Sequence, residues 1–266
     1  MKNLFSNPVL WIDLRSRLRE RRLWILALFM ALVPATISLL FLGVGWHCGD
    51  PYPTVGMALS GIAVFSHGAL LVLLSALGAA GRISQERERR TLPALVNSPL
   101  SAGRIANGKL AGAWIFSAWL SCTTLPFLAV AALWGGLSPV TLFLCWLLNT
   151  AAAMAAASLA LGLSGLFGRS LSAYLATGAV LFLWCAVLPI IGLFLMDGAS
   201  SEVREYVLFP VFYYHIPLVP QIMLFGEFLD PDNIKLASTL TALAVWTCVA
   251  LLGRHLARRG LSREVY

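Results

Sequence analysis

Six stretches of the chain, residues 23–46, 54–81, 110–168, 170–196, 206–226 and 236–253, contain no Lys, Arg, Asp or Glu. Their apolar residues run on continuously instead of alternating, which excludes an outer-membrane barrel. A helix needs about 20 apolar residues, rising about 1.5 Å each, to cross about 30 Å of hydrocarbon. The pattern predicts spans over 23–46, 55–80, 110–134, 140–167, 171–196 and 236–253. The longest stretch divides at Gly135-Gly136-Leu137-Ser138-Pro139, read as a tight turn, and Gly168-Arg169-Ser170 makes a second one. Trp24 and Trp46 fall near the two ends of span 1, where indoles prefer to sit. Span 2 is rich in small residues (Gly56, Ser60, Gly61, Gly68, Gly78), and span 4 carries the run 151–157, so close helix approach is expected at both.

The stretch 206–226 is long enough to cross but contains Pro210, Pro217 and Pro220, each removing a helix hydrogen bond. A broken, re-entrant or interfacial pair of short helices within 197–235 fits it better. Ahead of span 1, residues 1–22 are basic and amphipathic. Asn7-Pro8 is a helix start, with Asn as cap and Pro at the first helical position. Leu10, Trp11, Leu14 and Leu18 fall on one face, and Arg15, Arg19 and Arg22 on another. This predicts an elbow helix in the interface, apolar side toward lipid. The run that follows is too long for a cleavable signal peptide.

Charge then fixes the orientation. The chain is 59% hydrophobic and 12% charged, against about a quarter charged in soluble domains. All of its 19 Lys and Arg residues except Arg204 and Lys235 fall on one side of the proposed layout. Asp50, Asp197, Glu202, Glu205, Glu227, Asp230 and Asp232 fall on the other. By the positive-inside rule both termini are cytoplasmic, and the span count is even. The net charge of +7 therefore reports topology, and no nucleic-acid partner is inferred. The five cysteines form no CxxC pair, and four lie within apolar runs, where they read as small apolar residues.

One polar stretch between spans carries charges of both signs: residues 82–109, RISQERERRTLPALVNSPLSAGRIANGK. Glu86, Arg87, Glu88, Arg89 and Arg90 lead. A short amphipathic piece, Thr91-Leu92-Pro93-Ala94-Leu95-Val96, follows, and Asn97-Ser98-Pro99 breaks it. Such a segment wedged between two spans reads as a docking element for a soluble partner. It resembles the cytoplasmic coupling region of type-2 ABC exporter permeases. The likeness rests on Glu86-Arg87-Glu88, Thr91-Leu92, Leu95, Ser98-Pro99-Leu100-Ser101 and Lys109. The chain departs at Arg90, where that family usually has Gly, and at Pro93, where an acidic residue is common.

The resemblance implies a single permease domain over 1–266, an all-α polytopic protein with six transmembrane helices. It implies the elbow helix at 1–22, the coupling region at 82–109 and the re-entrant outer segment at 197–235. It also implies a dimer with a second permease copy or a paralogue, a separate ATP-binding cassette subunit, and a place in the bacterial inner membrane among its lipids. ATP-driven closure of the ATPases would push the coupling helices and switch access. Glu86, Glu88, Thr91, Leu92, Leu95, Ser98 and Pro99 are the residues expected to meet the ATPase. The uncharged spans suggest a hydrophobic or amphipathic substrate. The alternative is a membrane-embedded scaffold that recruits a cytosolic partner without transport; an ion-coupled carrier is disfavoured by the lack of charge in the spans.

Candidate chemistry is sparse. Gly103 to Lys109 reads superficially as a phosphate loop, G-x-x-x-x-G-K, but Leu110 stands where Ser or Thr would hold magnesium, and no strand precedes it. No ATPase site, catalytic motif, cofactor site or metal cluster is read from the chain. His67 is the one titratable group deep in a span; its expected state is neutral and hydrogen-bonded to a neighbouring helix. Ser117, Ser121, Thr123 and Thr124 in span 3 are expected to bond back to their own helix.

Overall fold

The structure, a computed structural model, describes residues 7–19, 21–48, 52–133, 138–197, 200 and 232–263. It is an all-α polytopic fold, helical with no strand among those residues. In chain order the helices are α1 (Pro8–Arg19), α2 (Arg21–Cys48), α3 (Tyr52–Ala80), α4 (Ser84–Glu88), α5 (Leu92–Val96), α6 (Ala102–Cys122), α7 (Leu125–Leu133), α8 (Pro139–Leu166), α9 (Ser170–Phe182), α10 (Leu188–Asp197) and α11 (Asp232–Ser262). Among the described residues five stretches are long and apolar enough to cross a membrane; α1 and residues 24–40 of α2, bent 66° to one another, bring the number to six when the pair is counted as one span. The re-entrant segment expected within 197–235 and the turn at Gly135–Gly136 lie outside the described residues.

The central post is α8, which packs against α3, α6, α9 and α11. Its small-residue run is buried: Ala152, Ala153, Ala155, Ala156, Ala157 and Ala160. Against α11 the contact is backbone to backbone. A Cβ on Gly253 would collide with the Ser158 carbonyl, one on Gly260 with that of Gly165, and one on Gly162 would lie 2.6 Å from the Gly253 carbonyl oxygen. Small residues are what allow membrane helices to approach this closely, because lipid offers no hydrophobic drive to press them together.

Three spans differ from the expected outlines, each for a local reason. Span 3 begins at Ala102, eight residues before the apolar run, because Ser101 caps it: the Arg104 amide donates to the Ser101 hydroxyl at 3.4 Å. That span also breaks between α6 and α7. Pro126 has no N–H to offer the carbonyl four residues back, and the Thr123 and Thr124 hydroxyls donate to the Leu120 and Ser121 carbonyls at 2.7 and 2.9 Å. Span 5 changes pitch at Leu183–Val187, a π-helical turn between α9 and α10, directly before Pro189. Span 6 is helical well past Gly253, carrying Arg254, Arg258 and Arg259 along the end of α11.

A helix forms over Pro8–Arg19, and it turns part of its polar face inward. Asn7 caps it, accepting from the Val9 amide at 3.1 Å, and its side-chain amide donates to the Arg104 carbonyl at 2.7 Å. Its buried residues are Val9, Leu10, Asp13 and Arg17, while Trp11 and Leu18 are exposed. The helix thus turns an ion pair inward: Arg17 Nε lies 2.7 Å from Asp13 Oδ2. Arg17 also sits 5.3 Å over the Phe116 ring, a cation–π contact. The expected apolar face is therefore split, Leu10 inside and Trp11 and Leu18 outside.

Candidate functional site: the coupling region

The residues 82–109 fold as two short helices and the first turns of α6. Between α4 and α5 the chain reverses at Arg90, whose φ of 58° lies in the left-handed region. The Thr91 amide donates to the Glu86 carbonyl at 2.9 Å and the Arg90 amide to the Arg87 carbonyl at 3.1 Å. This pair of bonds around a left-handed residue is the Schellman ending of a helix, which favours glycine at Arg90's position because a Cβ crowds the carbonyl there. Pro93 sits in the first turn of α5, where its missing N–H costs nothing. After α5 the Leu100 amide donates to the Ser98 carbonyl at 2.7 Å across Pro99, a three-residue turn that proline's fixed φ suits.

This unit is fastened to the bundle from four directions. The Ser164 hydroxyl on α8 accepts from the backbone amides of Ile83 and Ser84 at 3.0 and 3.1 Å. Arg87 donates from its two terminal nitrogens to the Phe167 and Gly165 carbonyls at the end of α8. Glu88 takes the Ser170 amide at 2.8 Å and the Ser170 hydroxyl at 2.6 Å, so a side chain from α4 caps the start of α9. Gln85 donates to the Tyr174 hydroxyl at 3.2 Å. Arg87 and Glu88 therefore straddle the turn between spans 4 and 5. Glu88 is exposed, beyond the apolar run, and the Ser170 hydroxyl and amide, with Arg169 nearby, hold its carboxyl below the usual carboxylate range.

The expected site residues separate into two groups. Leu92 is fully buried, Leu95 packs half-buried against the same core, and the Ser98 hydroxyl donates to the Leu95 carbonyl at 2.6 Å. Glu86 lies 2.6 Å from Lys109, whose side chain is only 2% exposed. These anchor the element within the chain. Thr91 and Pro99 are exposed, together with Arg89, Arg90, Pro93, Ala94 and Asn97, and these form its outward ridge. Sequence reasoning missed Arg87 and Ser164, because their partners lie some 80 residues away.

The phosphate-loop look-alike has a plain structural role. Gly103 to Lys109 are the first turns of α6. A Cβ on Gly108 would lie 2.9 Å from Asn7 Nδ2 and Val9 Cβ, and one on Gly112 would strike the Asp13 carboxylate. Those glycines seat the elbow helix on span 3.

Deeper in the bundle, His67 joins an uncharged polar cluster. Its ring nitrogens lie 3.4 Å from the Ser121 hydroxyl and 3.3 Å from the Asn149 amide. Ser121 and Thr150 share a 2.7 Å bond, and Asn149 donates to the Val64 carbonyl at 3.1 Å. Gly68 leaves the space that the Asn149 amide occupies. Ser117, Thr123 and Thr124 bond back within their own helix, whereas Ser121 reaches across. Asn149 was not singled out from the sequence. Among the described residues no three His, Cys, Asp or Glu side chains gather as a metal site requires.

No curated protein matches the sequence. The family model described as ABC-2 family transporter protein matches residues 7–253. That interval takes in α1, the two short helices and the spans up to the last turns of α11, so the chain belongs to the ABC-2 transporter permease family.

Proposed function

We propose that this permease is the membrane subunit of an ATP-driven exporter, with both termini in the cytoplasm of a bacterial cell and energy supplied by a separate ATP-binding cassette subunit. The observation that carries the reading is the coupling unit itself. A short helix pair is bolted to two spans at once through Arg87, Glu88 and Ser164, and it keeps an outward ridge of Arg89, Arg90, Thr91, Pro93, Ala94 and Asn97. A rigid element with an exposed face, fixed to the ends of spans 4 and 5, is suited to receive a push from a docked ATPase. Glu86, Glu88, Leu92 and Leu95 act in this reading by holding the ridge in shape; Thr91, Ser98 and Pro99 lie on or beside the surface that the partner covers.

A dimer accompanies the reading. Only 6% of the span-5 window is buried within the chain, and α2 is exposed along Ile25, Leu28, Phe29 and Leu32. A second permease copy, or a paralogue, and the surrounding lipid cover those faces. The cargo is hydrophobic or amphipathic in this reading, since the polar cluster of His67, Ser121, Asn149 and Thr150 offers hydrogen bonds but no fixed charge.

The test is co-purification of the tagged chain from its native membrane and identification of what comes with it. An ATP-binding cassette protein is expected, lost on Ala94→Arg, which alters the ridge without touching the buried anchors. A stoichiometric cytosolic partner without an ATPase domain would favour the scaffold alternative.

A further inference from the structure

Between the elbow helix and the coupling helices lies a cavity of about 850 Å³, within the usual size of a ligand site. Its walls are of two kinds. Leu26, Leu74, Leu77 and Phe116 supply an apolar floor that continues along the spans. Around them, among the described residues, stand five cations, Arg17, Arg21, Arg82, Arg89 and Lys109, and two carboxylates, Asp13 and Glu86. Both carboxylates are committed to ion pairs, with Arg17 and Lys109, so the lining keeps a positive surplus. Arg21 and Arg89 are exposed. Glu86 Oε2 is buried and accepts no hydrogen bond among the described residues, a position that calls for a donor.

One ligand chemistry meets all three demands. A phosphodiester suits the guanidinium groups, which bind it through paired N–H donors. A hydroxyl beside that phosphate satisfies Glu86 Oε2. Acyl chains suit the leucine floor. Basic pockets between membrane helices recognise headgroups in this manner. We propose that the cavity binds an anionic glycerophospholipid of the phosphatidylglycerol type, its phosphate on Arg21 and Arg89 and its headgroup hydroxyl toward Glu86. The inference rests on the orientation proposed above, which brings the cavity to the inner leaflet. Because the same walls include Val9 and Ile12 of α1 and Thr91 and Leu95 of the coupling unit, the lipid joins the elbow helix to the coupling unit.

The test uses the full chain in phosphatidylcholine nanodiscs carrying a trace of photoactivatable phosphatidylglycerol. Label is expected on peptides around residues 9–26 and 74–95. Arg21→Gln/Arg89→Gln should lower it about tenfold, whereas Arg258→Gln/Arg259→Gln, at the same end but outside the cavity, should leave it unchanged. Leu77→Trp, which fills the floor, should lower it as well; a monodisperse elution profile shows that each variant is folded. Equal labelling of all three variants overturns the proposal, as does equal labelling by a photoactivatable phosphatidylcholine. Displacement by free glycerol 3-phosphate would reassign the cavity to a soluble phosphate ester and overturn the lipid assignment. The readout is occupancy without an ATPase present, so its failure leaves the exporter reading standing, and loss of partner co-purification leaves the labelling result intact.

Discussion

Glu88 and Ser170 stand 82 residues apart in sequence, yet the Glu88 carboxylate accepts both the amide and the hydroxyl hydrogen of Ser170. The bond joins the coupling helix to the first turn of span 5. Glu88→Ala removes both acceptors, Glu88→Gln weakens them by losing the charge, and Ser170→Ala removes only the hydroxyl. The expected order of damage to transport, and to stimulation of the ATPase, is Glu88→Ala, then Glu88→Gln, then Ser170→Ala, at unchanged membrane level. Normal stimulation in Glu88→Ala would show that the clamp does not transmit the stroke.

Arg90 occupies a left-handed position, with φ of 58°, that favours glycine. Arg90→Gly should raise stability by about 1 kcal/mol, since the Cβ crowding of an L-residue there is relieved. Arg90→Val should lower it by at least as much. Thermal unfolding of the detergent-solubilised protein, with the three proteins side by side, measures both.

Asp13 and Arg17 form a buried ion pair, with side chains 6% and 2% exposed. Asp13→Ala removes the carboxylate that the buried Arg17 guanidinium contacts at 2.7 Å and should cost about 3–5 kcal/mol. The pair replaced together, Asp13→Leu/Arg17→Met, should cost far less, and the shortfall measures the coupling. Additive losses would mean that the two charges do not depend on one another.

Glycines divide sharply by environment. Gly253→Leu drives a side chain into the α8 backbone and should abolish stable expression. Gly178 has nothing within 4 Å of an added Cβ and lies inside α9. Gly178→Ala should therefore be neutral or stabilise by up to about 1 kcal/mol. Quantifying folded protein by fluorescence-detected size exclusion separates the two outcomes; loss in both would mean that α9 is covered by more than lipid.

Where sequence reasoning succeeded, the cause was local. The spans follow from uninterrupted apolar runs, and the Asn7 cap from its own proline. Two deviations were also locally encoded: Pro126 and Pro189 stand at the break in span 3 and beside the π-helical turn in span 5. The inward turn of Asp13 and Arg17 was not legible, because polarity alone sends both to water. It took Gly108 and Gly112, about a hundred residues on, to open a seat where the two charges satisfy each other. The clamp was illegible for the same reason. Glu86 and Glu88 stand among arginines in sequence, yet their partners are Lys109 and Ser170.

The seat of the elbow helix also orders events in time. Asn7 is held by the Arg104 carbonyl, 97 residues downstream, and Asp13 by a groove that exists only once α6 has formed. Chains emerge from the ribosome N-terminus first, at about 5–20 residues per second, so α1 is made several seconds before its seat on α6 exists. Until α6 has formed, Asp13 lacks the place beside Gly112 that it occupies in the fold. Docking of α1 on α6 therefore serves as a receipt that α2, α3 and the coupling unit, which lie between the two in sequence, have already been laid down.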